Sequence, residues 1–218
     1  MALLEATGLF KAYGQLEVLK GIDLKVEKGE VVSVVGASGA GKSTLLHILG
    51  TLDAPDSGAL KIHDKMINRL ATNQLARFRN QKIGFVFQFH NLLPEFTALE
   101  NVMMPAFLGN QTGRNVEDEA RALLQKLGVG ARADHKPSEL SGGEQQRVAV
   151  ARSLINKPAI VFADEPSGNL DSRNARELHE LFFTLRKDMD QTFVIVTHNE
   201  SLADMADRKI EIADGKII

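Results

Sequence analysis

There is no cysteine in the 218 residues, which excludes disulfides and cysteine-ligated metals and is compatible with a reducing compartment. Tryptophan is also absent, and tyrosine occurs once, at Tyr13. An excess of one charge is missing too: 26 basic residues face 28 acidic ones, for a net charge of −2. A general nucleic-acid binder usually carries a basic surface, so no nucleic-acid partner is expected. No apolar run approaches the roughly 18–20 residues of a membrane helix; the longest candidates, "AIVFAD" and "FVIVTH", have strand length. The opening "MALLEATGLF" has neither a positive n-region nor a cleavage site, so no signal peptide is expected. The chain should be cytoplasmic, or held at a membrane only through a partner.

Hydrophobic residues make up 44% of the chain, enough for the core of one large α/β domain. "LLEATGLFKAYG" reads as an edge strand and a turn, and "VLKGIDLKVEKGE" as a half-buried strand with Ile22, Leu24 and Val26 inward. "VVSVVG", "IGFVFQ", "AIVFADE" and "QTFVIVTH" are short continuous apolar runs, as expected of strands covered on both faces of a parallel sheet. "APDSG" is a turn. Helices are expected after "GAGKS", over most of Thr97 to Leu127 with a break near "LGNQTGRN", from Ser141 towards Pro158, from about Ser172 to Met189, and briefly at "SLADMAD". "RKIEIADGKII" is a closing hairpin turning on Asp-Gly. Strands alternating with helices predict a mostly parallel sheet with helices on both faces. The run of helices from about residue 92 to 157 predicts a helical subdomain between the core segments 1–91 and 158–218.

"GASGAGKS", Gly36 to Ser43, is a complete P-loop pattern between a buried strand and a helix. Backbone N–H groups of Gly36, Ala37, Ser38, Gly39, Ala40 and Gly41 can curl round a phosphate at the positive end of the helix. Lys42 would then reach the β- and γ-phosphates of ATP, Ser43 would ligate Mg²⁺, and Thr44 would touch the α-phosphate. "AIVFADE" ends in Asp164, suited to Mg²⁺, and Glu165, suited to polarising a water for in-line attack. His198 and Gln88 each follow a buried strand; alone either says little, but both fall at the strand ends where an open α/β sheet binds its ligand. His198 could bond a γ-phosphate, Gln88 could meet Mg²⁺ or water, and Tyr13 could stack on a nucleobase. "LSGGEQQR" begins as a capping box, with Ser141 followed by Glu144 three residues on. Two glycines in its first turn would each cost roughly 1 kcal/mol against alanine. Small residues and bare N–H groups there make a second anion site.

Together these residues resemble the nucleotide-binding subunit of ABC transporters over essentially the whole chain. "GASGAGKS" resembles the Walker A loop, "IVFADE" the Walker B strand with its catalytic glutamate, Gln88 the Q-loop, "LSGGEQQR" the signature, "SGNLD" the D-loop, His198 the switch histidine and Tyr13 the adenine-stacking aromatic. The resemblance implies an α/β fold: a P-loop NTPase core with a mostly parallel sheet, an N-terminal antiparallel β subdomain and a helical subdomain. It implies ATP hydrolysis, with catalytic roles for Glu165, His198 and Gln88, and a metal site at Ser43, Gln88 and Asp164. It also implies a head-to-tail dimer in which Ser141, Gly142 and Gly143 of one copy meet the ATP of the other, with Asp171 crossing the interface. Membrane subunits would be engaged through the helical subdomain and the segment after Gln88, on the cytoplasmic face of the inner membrane. "FQFHNLLPEFTALENVMMPAFLGN" and "DEPSGNLDS" are similar to the lipoprotein-releasing (LolD-type), MacB-type efflux and FtsE-type division ATPases. The first of these branches is preferred; MacB-type efflux and the FtsE-type role, signalling through a membrane partner, are the rivals, and a soluble ABC ATPase acting on nucleic acid ranks behind them. Ser167 stands where this group commonly has threonine.

Overall fold

The computed structural model describes residues 2–111 and 114–218. Its first layer is an antiparallel sheet of β1 (Ala2–Tyr13), β2 (Leu16–Glu27), β4 (Ser57–Ile62) and β5 (Lys65–Met66), in the order β2-β1-β4-β5. β1 is therefore an interior strand and not the edge strand expected, because β4 pairs along its other side from Leu4↔Ile62 to Phe10↔Ser57. Alternation places Ile22, Leu24 and Val26 of β2 in the core, beside their cross-strand partners Leu9, Ala6 and Leu4 of β1.

The second sheet holds β3 (Val31–Val35), β6 (Ile83–Phe87), β7 (Ile160–Asp164), β8 (Thr192–Val196), β9 (Arg208–Ala213) and β10 (Lys216–Ile217), in the order β10-β9-β3-β8-β7-β6. All neighbours are parallel except the closing hairpin β9–β10. Register sets the position of the site. Phe87 pairs with Asp164, Asp164 with Val196, and Val34 with Val196. The C-terminal ends of four strands thus finish side by side, and the residues just beyond them are Gly36, Gln88, Glu165 and His198.

Helices α1 (Lys42–Leu49), α2 (Thr72–Lys82), α3 (Ala98–Leu108), α4 (Arg114–Lys126), α5 (Gly142–Leu154), α6 (Ser172–Met189) and α7 (Glu200–Met205) complete the fold. The expected break between α3 and α4 is present at Gly109 to Gln111; residues 112 and 113 of that stretch lie outside the described residues. Helices α3, α4 and α5 share one apolar cluster with β7, β8 and α6, in which Val102, Leu124 and Val148 join Val161, Phe182 and Ile195. The helical region thus has no core separate from the parallel sheet. A second cluster joins both sheets through α1, with Leu45 and Ile48 against Ile160 and Leu9.

Candidate nucleotide site

The loop from Gly36 to Gly41 opens α1, and Gly36, Gly39 and Gly41 have φ values of 146°, 79° and 102°. Gly36 cannot be replaced: a Cβ there would lie 2.2 Å from the carbonyl oxygen of Ile212, so the loop must pass against β9 as bare backbone. No side chain caps the first turn of α1, which leaves its N–H groups free for an anion. Lys42 arches back over the loop and donates from Nζ to the carbonyls of Gly36 and Ala37, each at 2.9 Å.

One cavity of about 570 Å³ collects most of the expected residues: Tyr13, Gly36, Ser38, Gly39, Gly41, Lys42, Ser43, Thr44, Glu165 and His198. Leu16 and Val18 of β2 also line it; nothing in the alternation of β2 marked them as more than strand residues. Tyr13 is 51% exposed at one end, and its hydroxyl donates to Asp53 Oδ2 at 2.6 Å. Lys11 binds Asp53 at 3.0 Å and lies 5.1 Å from the Tyr13 ring centroid, so a carboxylate and a cation hold the only tyrosine in place. The Asp53 hydrogen bond raises the Tyr13 pKa and lowers that of Asp53.

At the other end, Ser43 Oγ donates to Asp164 Oδ1 at 3.2 Å. Burial raises the Asp164 pKa, opposed by that hydrogen bond and by His47, whose Nε2 lies 3.9 Å from Asp164 Oδ2. A hydroxyl and a carboxylate oxygen form a hard-oxygen donor pair of the kind Mg²⁺ takes when water and phosphate complete its shell. Among the described residues no group of three His, Cys, Asp or Glu side chains is placed to hold a metal by itself. Glu165 sits at φ 46°. Its Oε2 is 2.7 Å from His198 Nδ1 and accepts from the His198 backbone N–H at 3.2 Å. His198 is otherwise open, with 70% of its side chain exposed.

The remaining expected residues lie elsewhere in the same chain. Gln88 donates from Nε2 to Asn169 Oδ1 at 3.3 Å, and Asn169 returns a bond to the Gln88 carbonyl at 3.2 Å; its amide faces the Gly168–Asn169 turn and does not line the cavity. Ser141 caps α5. Its backbone N–H and its hydroxyl both donate to Glu144 Oε2 at 2.8 Å, and Glu144 also accepts from Arg132 Nε at 2.8 Å. These bonds bring the Glu144 pKa down to about 2. Gly142 accepts a bond from His90 Nε2 through its carbonyl at 2.8 Å. A Cβ on Gly143 would lie 2.7 Å from Asn174 Oδ1, so a side chain there must displace the Asn174 amide of α6. Asp171 caps α6, accepting from the N–H groups of Arg173 and Asn174 at 3.0 and 2.9 Å. Ser141, Gly142, Gly143 and Asp171 therefore form a second polar surface that does not line the chain's own cavity.

A family model described as ABC transporter matches residues 19–168, a span that takes in the P-loop, Gln88, the Ser141 segment and Glu165. The chain belongs to the ABC transporter family. It resembles the "Lipoprotein-releasing system ATP-binding protein LolD" of Cytophaga hutchinsonii, with 64% identity over 99% of each chain. A solved dimeric structure of MJ0796, a bacterial ABC transporter cassette, superposes with a TM-score of 0.90 at 39% identity, over 98% of this chain and 96% of that one. The dimeric post-hydrolysis state of the same cassette, bound to ADP and Pi, gives 0.89 at 39% identity over the same shares. The fold is the α/β P-loop NTPase fold of an ABC cassette, with its antiparallel N-terminal sheet.

Proposed function

We propose that this cassette is the ATP-hydrolysing subunit of an ABC transporter that releases lipoproteins from the inner membrane. The juxtaposition that carries the ATPase reading is Glu165 with His198 on the cavity lined by Lys42 and Ser43. Full-length similarity to the lipoprotein-releasing chain of Cytophaga hutchinsonii supports the transport reading.

The nucleobase rests on Tyr13, and the phosphates lie along the N–H groups of Gly36 to Thr44. Lys42 exchanges its carbonyl partners for phosphate oxygens, a stronger charge-assisted bond. Ser43 and Asp164 would hold Mg²⁺, which would supply neutralisation of phosphate charge. Glu165 takes the proton of the attacking water while His198 fixes the direction of its carboxylate. Gln88 would reach the metal side of the site only by giving up its bonds to Asn169.

The surface formed by Ser141, Gly142, Gly143 and Asp171 serves a second copy, so that two ATP molecules are held head to tail between two chains. No helix among the described residues is long and apolar enough to cross a membrane. Membrane subunits engage the chain at the cytoplasmic face of the inner membrane through the segment after Gln88 and the helical region 92–157, which packs on the core formed by 1–91 and 158–218. Phe89, Leu93, Phe96, Phe107 and Leu108 are exposed there, an apolar set suited to a protein partner. The test is reconstitution of the chain with its membrane subunits in lipoprotein-loaded vesicles. ATP and a soluble carrier should release lipoprotein; ATP hydrolysis without release overturns the transport reading.

A further inference from the structure

We infer that His179 is a positioning residue for ATP hydrolysis, acting through Ser167 on the turn that carries Glu165. The inference rests on the proposed role of Glu165 as the base.

His179 is 2% exposed and Ser167 8% exposed, and His179 Nε2 lies 2.9 Å from Ser167 Oγ. Around them α6 buries Ala175, Leu178, Phe182 and Leu185. In such surroundings either polar group would be costly without the other, whereas an apolar pair would carry no such demand. Burial lowers the His179 pKa, which favours a neutral imidazole able to share one proton with the hydroxyl.

The bond joins the middle of α6 to a residue two positions after Glu165. That turn behaves as one body: Gly168 N–H donates to the Glu165 carbonyl at 3.0 Å, and Leu170 N–H to the Ser167 carbonyl at 3.1 Å. Asp171 then caps the same helix. Two histidines thus grip Glu165 from opposite ends, His198 at the carboxylate and His179, through Ser167, at the backbone. His179 does not line the nucleotide cavity, so its route to the reaction runs through the turn that carries Glu165. A misplacement of about 1 Å at a reacting group can cost on the order of a hundredfold in rate. ATP binding rests on Tyr13 at the end of β1 and on the Gly36–Thr44 segment that opens α1, and should not depend on it.

The experiment measures steady-state ATP hydrolysis by the full chain for Ser167→Ala, His179→Phe, the double variant and Ser167→Thr, with Glu165→Gln alongside and thermal melting for each. Ser167→Ala and His179→Phe should each lower kcat about five- to tenfold, with KM for ATP changed by less than about twofold. The double variant should lose no more than the worse single one, since both remove the same bond. Ser167→Thr, which keeps the hydroxyl, should hold kcat within about twofold of the parent. A pair that only fills the core would lower the melting temperature and leave kcat of the folded protein unchanged; that result overturns the proposal. So does a double-variant loss equal to the product of the two single losses, or a loss in Ser167→Thr equal to that in Ser167→Ala. Ser167→Ala deletes one oxygen and keeps the test decisive even where His179→Phe does not fold. Hydrolysis surviving in Glu165→Gln would refute the base assignment separately, because the kcat and KM pattern of the pair is read independently of it.

Discussion

Glu165 and Glu144 show how neighbours decide what a carboxylate can do. Glu165 is tied through one oxygen to His198, which leaves its other oxygen available to a water. Replacing it by glutamine keeps the shape and removes the base. Hydrolysis by Glu165→Gln should therefore fall by about 10²–10⁴, while equilibrium binding of labelled ATP stays close to that of the parent. Glu144 is fully occupied, by the Ser141 N–H, the Ser141 hydroxyl and Arg132. Its folded pKa of about 2 lies below the ordinary 4.5, so it contributes stability that is fully present above the unfolded value and is lost as pH falls towards 2. Glu144→Gln should cost about 1 kcal/mol at pH 7. The difference between parent and variant in urea unfolding should stay constant down to about pH 5 and shrink below it. A difference independent of pH between 7 and 3.5 would show that the charge of Glu144 is immaterial to the cap.

At the scale of elements, α6 links chemistry to core. Asp171 caps its start, His179 holds the turn before it, and Phe182 is buried against Phe193 of β8, with ring centroids 5.2 Å apart and planes at 66°. Phe182→Ala should cost about 3–5 kcal/mol in urea unfolding; a loss below 1 kcal/mol would mean that the site collapses to fill the space. The limits of α6, Ser172 and Met189, were legible because an Asp N-cap and apolar spacing mark them on the chain. The four site strands were legible for a related reason: each is a short apolar run that stops at Gly36, Gln88, Asp164–Glu165 or His198. Helix α2 was not, since Phe78 is its one buried residue and a single apolar position has no period. β4 was read only as its leading turn; its inward pair, Leu60 and Ile62, is too short a pattern to stand out. Asp53, Asn169 and His47 share another cause. Each acts through a partner far along the chain, Tyr13, Gln88 and Asp164 respectively, and no local pattern records such contacts. Ser141 was legible as a cap; that its hydroxyl already binds Glu144 was not.

For the whole molecule, the two polar surfaces pose one question. The cavity at Gly36 is lined by Lys42, Ser43, Glu165 and His198, while Ser141 and Gly142 stand apart from it at the exposed start of α5, with Gly143 buried behind them. If the second surface serves a second copy, slowing hydrolysis should trap the pair. Glu165→Gln should elute as a dimer with Mg-ATP and as a monomer without nucleotide. Gly143→Asp in that background should abolish the dimer, since the added carboxylate would face the partner's γ-phosphate; a 4 Å separation of like charges in a partly desolvated interface costs about 4 kcal/mol. Gly143→Ala is the necessary control. Its Cβ meets Asn174 Oδ1 as closely as that of aspartate does, so that contact is common to both and what aspartate adds is the carboxylate. With Glu165 intact, Gly143→Asp should lower ATP hydrolysis at least about tenfold relative to Gly143→Ala, a barrier change of about 1.4 kcal/mol or more. Binding of ATP to the separate chain should be equal in the two, because the cavity at Gly36 lies outside the altered surface. Equal hydrolysis by the aspartate and alanine variants would mean that no phosphate is approached by the Ser141–Gly143 segment, and the shared-site dimer would have to be abandoned.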